Sequence, residues 1–296
     1  MLSIASTGSP GAKICLLLTA ASEKVGPHFR DPPPWHRKTS IMESLGFIGV
    51  GHLADYPVRG LRRGGWRGDI FLSGRNAQVA AQLAADCQAQ VIEDNQALAD
   101  RCDILMLATR PPQALEALCG LSLRPEQTLL SVVAGLPLAA LQASAGPVGT
   151  IVRALPVTSA EFSASATLLF PPDASVEDLF NHCGQAIAVD NEEQFDAGGV
   201  LSCIYAGFFP LLDQLTRDAQ AAGLPAETAR ALVTAMAKGA ATVANEDHTK
   251  TLAAITGQIA TEGSYSKKVV DHLLSRHALT PWSEAFDLTL KAFQGK

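Results

Sequence analysis

Between Glu43 and about Asp190 the chain alternates short apolar runs with helix-forming stretches, and this limits what it can fold into. SLGFIGV, DIFLSG, AQVIE, CDILMLAT, TLLSVVAG, GTIVRALP and ATLLFP have the length and composition of buried strands, and AIAVD reads as a last one. NAQVAAQLAADC, DNQALADRC, PPQALEALCGL and PLAALQASAG lie between them with helical spacing. Strands joined through helices pair in parallel, with the helices covering the sheet faces. The expectation is an α/β fold with a doubly wound parallel sheet. Ser175 and Asp178 have capping-box spacing, so a helix should start there. After Asp190 the strand signal stops. NEEQFDAGGVLSCIYAGFFPLLDQLTRDAQAAG predicts a long helix, kinked or broken at Pro210. LPAETARALVTAMAKGAATVANE follows with Pro225 near its first turn, and TPWSEAFDLTLKAFQ has Thr280 as N-cap and Pro281 at the first helical position.

The bulk properties exclude several classes. At 296 residues, 47% hydrophobic and 18% charged, the chain can bury a real core and is not disordered as a whole. Its net charge of −6 argues against a nucleic-acid partner, and no uncharged apolar run long enough to span a bilayer stands out, so no membrane partner is expected. Cys15, Cys87, Cys102, Cys119, Cys183 and Cys203 form no CxxC pair and have no His at ligand spacing. They fit a reducing cytoplasm and packing roles, with no metal. Residues 1–41, with ICLLLTAA and then GPHFRDPPPWHRKTS, stand apart from the pattern as a leader that mimics an export signal only weakly.

One connection carries chemistry. Gly49, Gly51 and Ala54 form G-x-G-x-x-A directly after a strand and at the start of a helix. The first glycine permits a tight turn, the second lets the backbone approach a pyrophosphate, and the small third residue lets helix and strand pack closely. A structural turn alone would also explain the glycines. Pro57, just beyond the first helical turn, should distort the helix at a cost of up to about 3 kcal/mol. The end of the second strand adds an independent clue. NAD-binding turns of this Rossmann type carry an acid about 20 residues on. LSGRN instead places Ser73, Arg75 and Asn76 there. An arginine and short polar groups suit a 2′-phosphate, which favours NADPH, with NADH possible.

From Met42 to near the C-terminus the chain resembles the pyrroline-5-carboxylate reductases, which reduce a cyclic imine to proline. The landmarks are LGFIGVGHLA, ILMLATRPPQ, SVVAGLPLAAL, IVRALPVTSA and ATLLFPP, then FDAGGVLS, AAGLPAETARALV and GQIATEGSYS. The resemblance implies a Rossmann-type NADP-binding domain over 42–192 and an all-α helical dimerisation and substrate domain over 193–296. It also implies a homodimer or larger homo-oligomer that shares its active sites. Onto the cofactor site it carries Gly49, Gly51, His52, Leu53, Ala108, Thr109 and Arg110. The substrate is then a small-molecule imine that receives a hydride at its carbon. A loop opening a late helix should bind the substrate carboxylate. The matching residues are Gly263, Ser264 and Tyr265, with Ser266 orienting the imine nitrogen as the catalytic group and Ser202 contributing from the earlier helix. Ser264 as a plain helix cap and Ser266 as first-turn surface is the competing reading.

The chain departs from the family pattern mainly at the substrate side. Cys203, Ile204 and Tyr205 add bulk where small residues are usual, and Ala206 replaces a proline. Glu262 and Tyr265 alter the late loop, Val157 replaces an asparagine, Arg110 a lysine, and His52 the usual Asn. Glu192 and Glu193 read as a solvated charge run, Cys203 as a buried packing thiol, and Lys267 and Lys268 as a solvated face paired with Asp271. Two other functions stay open: an oxidoreductase of the same build acting on a different imine or carbonyl, and a non-catalytic NADPH-binding paralogue. If the leader is dispensable, a chain beginning at Met42 should fold and bind cofactor like the full chain; an insoluble truncated product would contradict this.

Overall fold

The computed structural model describes residues 44–294; the leader expected over residues 1–41 lies outside them. The strands are β1 (Ser44–Ile48), β2 (Asp69–Ser73), β3 (Gln90–Ile92), β4 (Ile104–Leu107), β5 (Thr128–Ser131), β6 (Thr150–Leu155), β7 (Ser165–Phe170) and β8 (Gly184–Ala188). They form one eight-stranded sheet in the order β3-β2-β1-β4-β5-β6-β7-β8. Pairing is parallel from β3 to β6, as the strand–helix alternation predicts. β7, however, runs antiparallel to β6, and β8 follows β7 in parallel. The reason is the connection: only a 3₁₀ turn at Thr158–Phe162 separates β6 from β7. That is too little chain for a crossover, so the strand must fold straight back.

Five helices intervene among the first six strands: α1 (His52–Arg63), α2 (Ala77–Cys87), α3 (Asn95–Ala99), α4 (Pro111–Leu118) and α5 (Leu138–Ala145). Side chains alternate across the sheet. Leu45, Phe47, Ile70, Leu72, Ile104 and Met106 join one buried cluster, whereas Ile48, Phe71, Leu105 and Leu107 join another. Both faces are therefore covered, and the strands read as continuous apolar runs for that reason. Cys102 and Cys183 are packing thiols, and burial pushes both up to about 12. α1 is continuous through Pro57, which is buried. The missing N–H deprives the carbonyl of Leu53, and Leu53 lies at the exposed start of the helix, where water can replace the bond.

α6 (Ala174–Asn181) follows β7. Its cap is Asp173, whose carboxylate accepts from the amides of Ser175 and Val176, two residues upstream of the expected Ser175 box. From Glu192 onward every described element is helical: α7 (Glu192–Ile204), a 3₁₀ turn at Tyr205–Gly207, α8 (Phe208–Ala221), α9 (Ala226–Glu246), α10 (Leu252–Ile259), α11 (Tyr265–Ser275) and α12 (Thr280–Phe293). The break expected at Pro210 occurs just before it. Pro210 sits in the first turn of α8, where it needs no partner, and residues 205–207 absorb the clash its ring would cause one turn back. α12 starts one residue earlier than expected, with Leu279 as N-cap, Thr280 as the first helical residue and Pro281 in second place.

Glu192 is no solvated linker charge. Arg153, in β6, is only 4% exposed, and its Nη1 lies 2.6 Å from Glu192 Oε1. The same oxygen accepts the Leu138 amide at 2.8 Å. The guanidinium stacks over the Phe195 ring at 4.3 Å, and Asp196 stands 3.7 Å from Nη2. One carboxylate therefore joins β6, the start of α5 and the first turn of α7, where a negative charge also suits the helix dipole.

From the last turn of α7 onward the helices bury little in one chain. Leu201, Phe209, Met236, Leu252, Ile259, Val269 and Leu288 are all exposed. Against the expectation of no membrane-spanning run, Glu192–Ala221 taken end to end is long and apolar enough to cross a bilayer. The 3₁₀ turn at Tyr205–Gly207 divides it. Removing Glu192 leaves Arg153 buried with Asp196 as its remaining counter-charge. Because Glu192 is half-exposed, Glu192→Ala should cost about 2 kcal/mol, less than a fully buried pair. Urea unfolding of the variant measures this, and an unchanged midpoint would contradict it.

Candidate active site

The turn after β1 is built on close contact. Gly49 has φ +95°, and a Cβ there would collide with the Thr109 methyl and lie 2.9 Å from the Ala108 carbonyl oxygen. Only glycine fits both the conformation and the space. The Gly49 amide donates to Ser73 Oγ at 3.0 Å, and the Ala108 amide donates to the Ile48 carbonyl at 2.9 Å. Ala108 and Thr109 therefore wall the turn from β4.

Gly51 differs. It has an extended φ of −137° and caps α1, and a Cβ built on it would meet nothing within 4 Å. Folding does not require glycine at this position. A ligand drawn close to the backbone would. The first amides of α1 cannot reach a carbonyl within their own helix, and they open on this side with the positive end of the helix dipole. Leu53 and His52 are exposed beside them, with His52 Nδ1 3.3 Å from the Tyr56 hydroxyl.

At the end of β2 the expected residues separate into two groups. Ser73 is 3% exposed and its hydroxyl is engaged by Gly49, so it shapes the turn from within instead of presenting its oxygen on the loop surface. Arg75 is exposed and makes no hydrogen bond or ion pair among the described residues. Asn76 is the N-cap of α2, yet its side chain makes no cap bond. Arg110 is the exposed N-cap of α4, ahead of Pro111. The residues present fit a dinucleotide: an open glycine, free amides, and unpaired cationic and amide side chains on the same edge of the sheet.

A cleft opens beyond the carboxyl ends of β5 and β6, where open α/β sheets bind ligands. Leu53, Val132, Ala134, Val157, Thr158, Ser202 and Tyr205 line it. It brings together the expected cofactor residue Leu53 and the expected substrate residue Ser202. Sequence reasoning did not single out Thr158, whose Oγ1 lies 3.2 Å from the Tyr205 hydroxyl and ties the sheet to the end of α7. Cys203 is exposed and borders the cleft, so it is not the buried thiol expected.

The late loop does not reach this cleft within one chain. Gly263 has φ +81° with open space around it, Tyr265 is 85% exposed, and Ser266 is exposed on the first turn of α11. Ser264 caps that helix, its Oγ accepting the Lys267 amide at 3.1 Å. Its own amide, expected to meet a carboxylate, donates to the Thr261 carbonyl at 3.0 Å. Lys267 pairs with Asp271 at 2.6 Å, while Lys268 lies over the Tyr265 ring.

The two glycines can be separated by experiment. Gly51→Thr should leave the unfolding midpoint unchanged while weakening NADPH at least about tenfold, because threonine caps a helix about as well as glycine and its side chain enters only the ligand's space. Gly49→Val should instead lower the midpoint. Calorimetry and fluorescence titration of both variants read the two effects; equal loss of stability in both would contradict the assignment.

A family model described as NADP oxidoreductase coenzyme F420-dependent matches residues 44–135, and one described as pyrroline-5-carboxylate reductase dimerisation matches residues 192–293. Pyrroline-5-carboxylate reductase of Pseudomonas aeruginosa is 35% identical over 214 residues, covering 68% of this chain and 77% of that protein. Pyrroline-5-carboxylate reductase 2 of Bacillus subtilis is 27% identical over 212 residues, 67% of this chain and 76% of its own. Among solved structures, the pyrroline-5-carboxylate reductase of Coxiella burnetii superposes with a TM-score of 0.75 at 24% identity, over 86% of this chain and 98% of that one. The Plasmodium falciparum pyrroline carboxylate reductase with NADP bound gives 0.74 at 19% identity, with the same coverage. A parallel-dominated sheet with a glycine turn, a helical region matching a dimerisation model, and a relative at this identity place the chain in the pyrroline-5-carboxylate reductase family, oxidoreductases that act on CH–NH donors with NAD(P).

Proposed function

We propose that this protein reduces 1-pyrroline-5-carboxylate to proline with NADPH, as a homodimer or larger homo-oligomer. The observation that carries the reading is the open space at Gly51 beside the free start of α1, in a chain 35% identical to a named pyrroline-5-carboxylate reductase. The preference for NADPH rests on Arg75, an exposed guanidinium without a protein partner, and is supported by NADP in the Plasmodium falciparum relative. In this reading residues 42–192 hold the cofactor, and residues 193–296 form the dimerisation and substrate domain. The free thiols of Cys87, Cys102, Cys119, Cys183 and Cys203 support a cytoplasmic location.

Bound NADPH supplies the hydride. The chain's own residues supply position. The cleft wall of Val132, Ala134 and Val157 excludes water from the reacting face, and Ser202 borders the same space. Gly263 to Ser266 lie outside the cleft of their own chain, so they act on a second protomer's cleft. There the Ser266 hydroxyl orients the imine nitrogen. The amides of Gly263 and Tyr265 receive the carboxylate, the Ser264 amide being already bonded. The exposed apolar helices α8–α12 are the surface that brings the two copies together.

A specific observation favours a second reading, in which the same chemistry acts on a different imine or carbonyl. Among the described residues the cleft lining contains no Lys or Arg, and Tyr205 occupies a position where the family has a small residue. Absorbance assays of NADPH oxidation against pyrroline-5-carboxylate, pyrroline-2-carboxylate and piperideine-2-carboxylate separate the readings. Turnover of the first supports the main one, and turnover of the others alone supports the second. Tight NADPH binding without turnover marks a non-catalytic paralogue. Ser266→Ala should lower kcat about tenfold with the NADPH Kd unchanged. Arg75→Ala should weaken NADPH about tenfold and NADH little; equal losses would count against a 2′-phosphate contact.

A further inference from the structure

The loop after β2 lacks the acid that accepts ribose hydroxyls in NAD-binding turns of this kind. Ser73 is buried and turned toward Gly49, and Gly74 follows it without a side chain. A carboxylate is nevertheless present at that place. A Cβ added to Gly74 would collide with both carboxylate oxygens of Glu93. The Glu93 carboxylate thus fills the space in which a side chain at position 74 would begin.

The neighbouring strand delivers it. β3 pairs in parallel with β2, with Ile92 opposite Ser73, and the Gly74 amide donates to the Ile92 carbonyl at 3.2 Å. Glu93 is the next residue after β3, so the register fixes its side chain against the loop. It is exposed and makes no hydrogen bond or ion pair among the described residues, so its acceptor capacity is unused. The adjoining Arg75 is equally unpaired.

We propose that Glu93 is the ribose-hydroxyl acceptor of this chain, supplied from β3 in place of the missing acid of β2. The Arg75 guanidinium attracts a 2′-phosphate, whereas the Glu93 carboxylate repels it and binds the hydroxyl of an unphosphorylated dinucleotide. The two side chains flanking Gly74 therefore act in opposite directions on cofactor choice, and the protein binds NADH as well as NADPH. This inference rests on the reading of the Gly49–Gly51 turn as a dinucleotide site.

Fluorescence titration of the full chain with NADH and NADPH tests it. Glu93→Gln keeps the size of the side chain and removes the charge. It should raise the NADH Kd about five- to tenfold and leave the NADPH Kd unchanged or lower. A residue that only shaped the loop would move both in the same direction. Equal rises, or no change in NADH binding, would overturn the assignment. A second measurement does not depend on the variant folding: 2′-deoxy-NADH should bind the unsubstituted chain about five- to tenfold more weakly than NADH, and equal binding overturns the proposal. Arg75→Ala separates the Glu93 assignment from the cofactor reading. Selective loss of NADPH with Glu93→Gln silent defeats the Glu93 assignment alone, whereas a chain that binds neither dinucleotide defeats it together with the cofactor reading.

Discussion

Arg153 is a buried charge in the middle of the sheet, and what it requires sets where the helical region begins. A guanidinium in this position is tolerable only when paired and packed. Glu192, Asp196 and the Phe195 ring all come from the first turns of α7, and Glu192 also takes the Leu138 amide. This contact anchors α7 against β6 and α5. The far end of α7 then carries Ser202 and Tyr205 to the carboxyl ends of the strands.

The glycine turn obeys a different constraint. At Gly49 the wall made by Ala108 and Thr109 requires the absence of a side chain, and at Gly51 nothing in the protein does. Gly49 thus has an internal reason that Gly51 of the same motif does not share. Ser73 belongs with the first, because its hydroxyl holds the Gly49 amide. The glycine turn is therefore assembled within a single chain. The late loop of Gly263 to Ser266 stands apart from the cleft, among helices whose apolar residues are exposed.

Much of this was legible from residue order. Apolar runs of strand length separated by helical stretches led to the sheet, and the strand–glycine–helix context led to the turn. What escaped the sequence were directions and partners. The reversal of β7 depends on how little chain follows β6. The break near Pro210 moved upstream because a proline is harmless in a first turn and disruptive one turn earlier. Glu192 looked solvated because nothing local marks Arg153, 39 positions away, as its partner. The Tyr205–Thr158 pair and the Glu93–Gly74 contact join residues from separate elements, and no periodicity signals them.

The sequence by itself determined the local rules: which runs can be buried strands, where helices start, and where a glycine is demanded. Backbone stereochemistry and hydrophobic periodicity act over a few residues, so they can be read in a line. Tertiary structure decided which carboxylate meets the buried arginine, which hydroxyl supports the turn, and which acid lies against Gly74. Those outcomes depend on strand register and on the space left between side chains, which exist only after distant segments have packed.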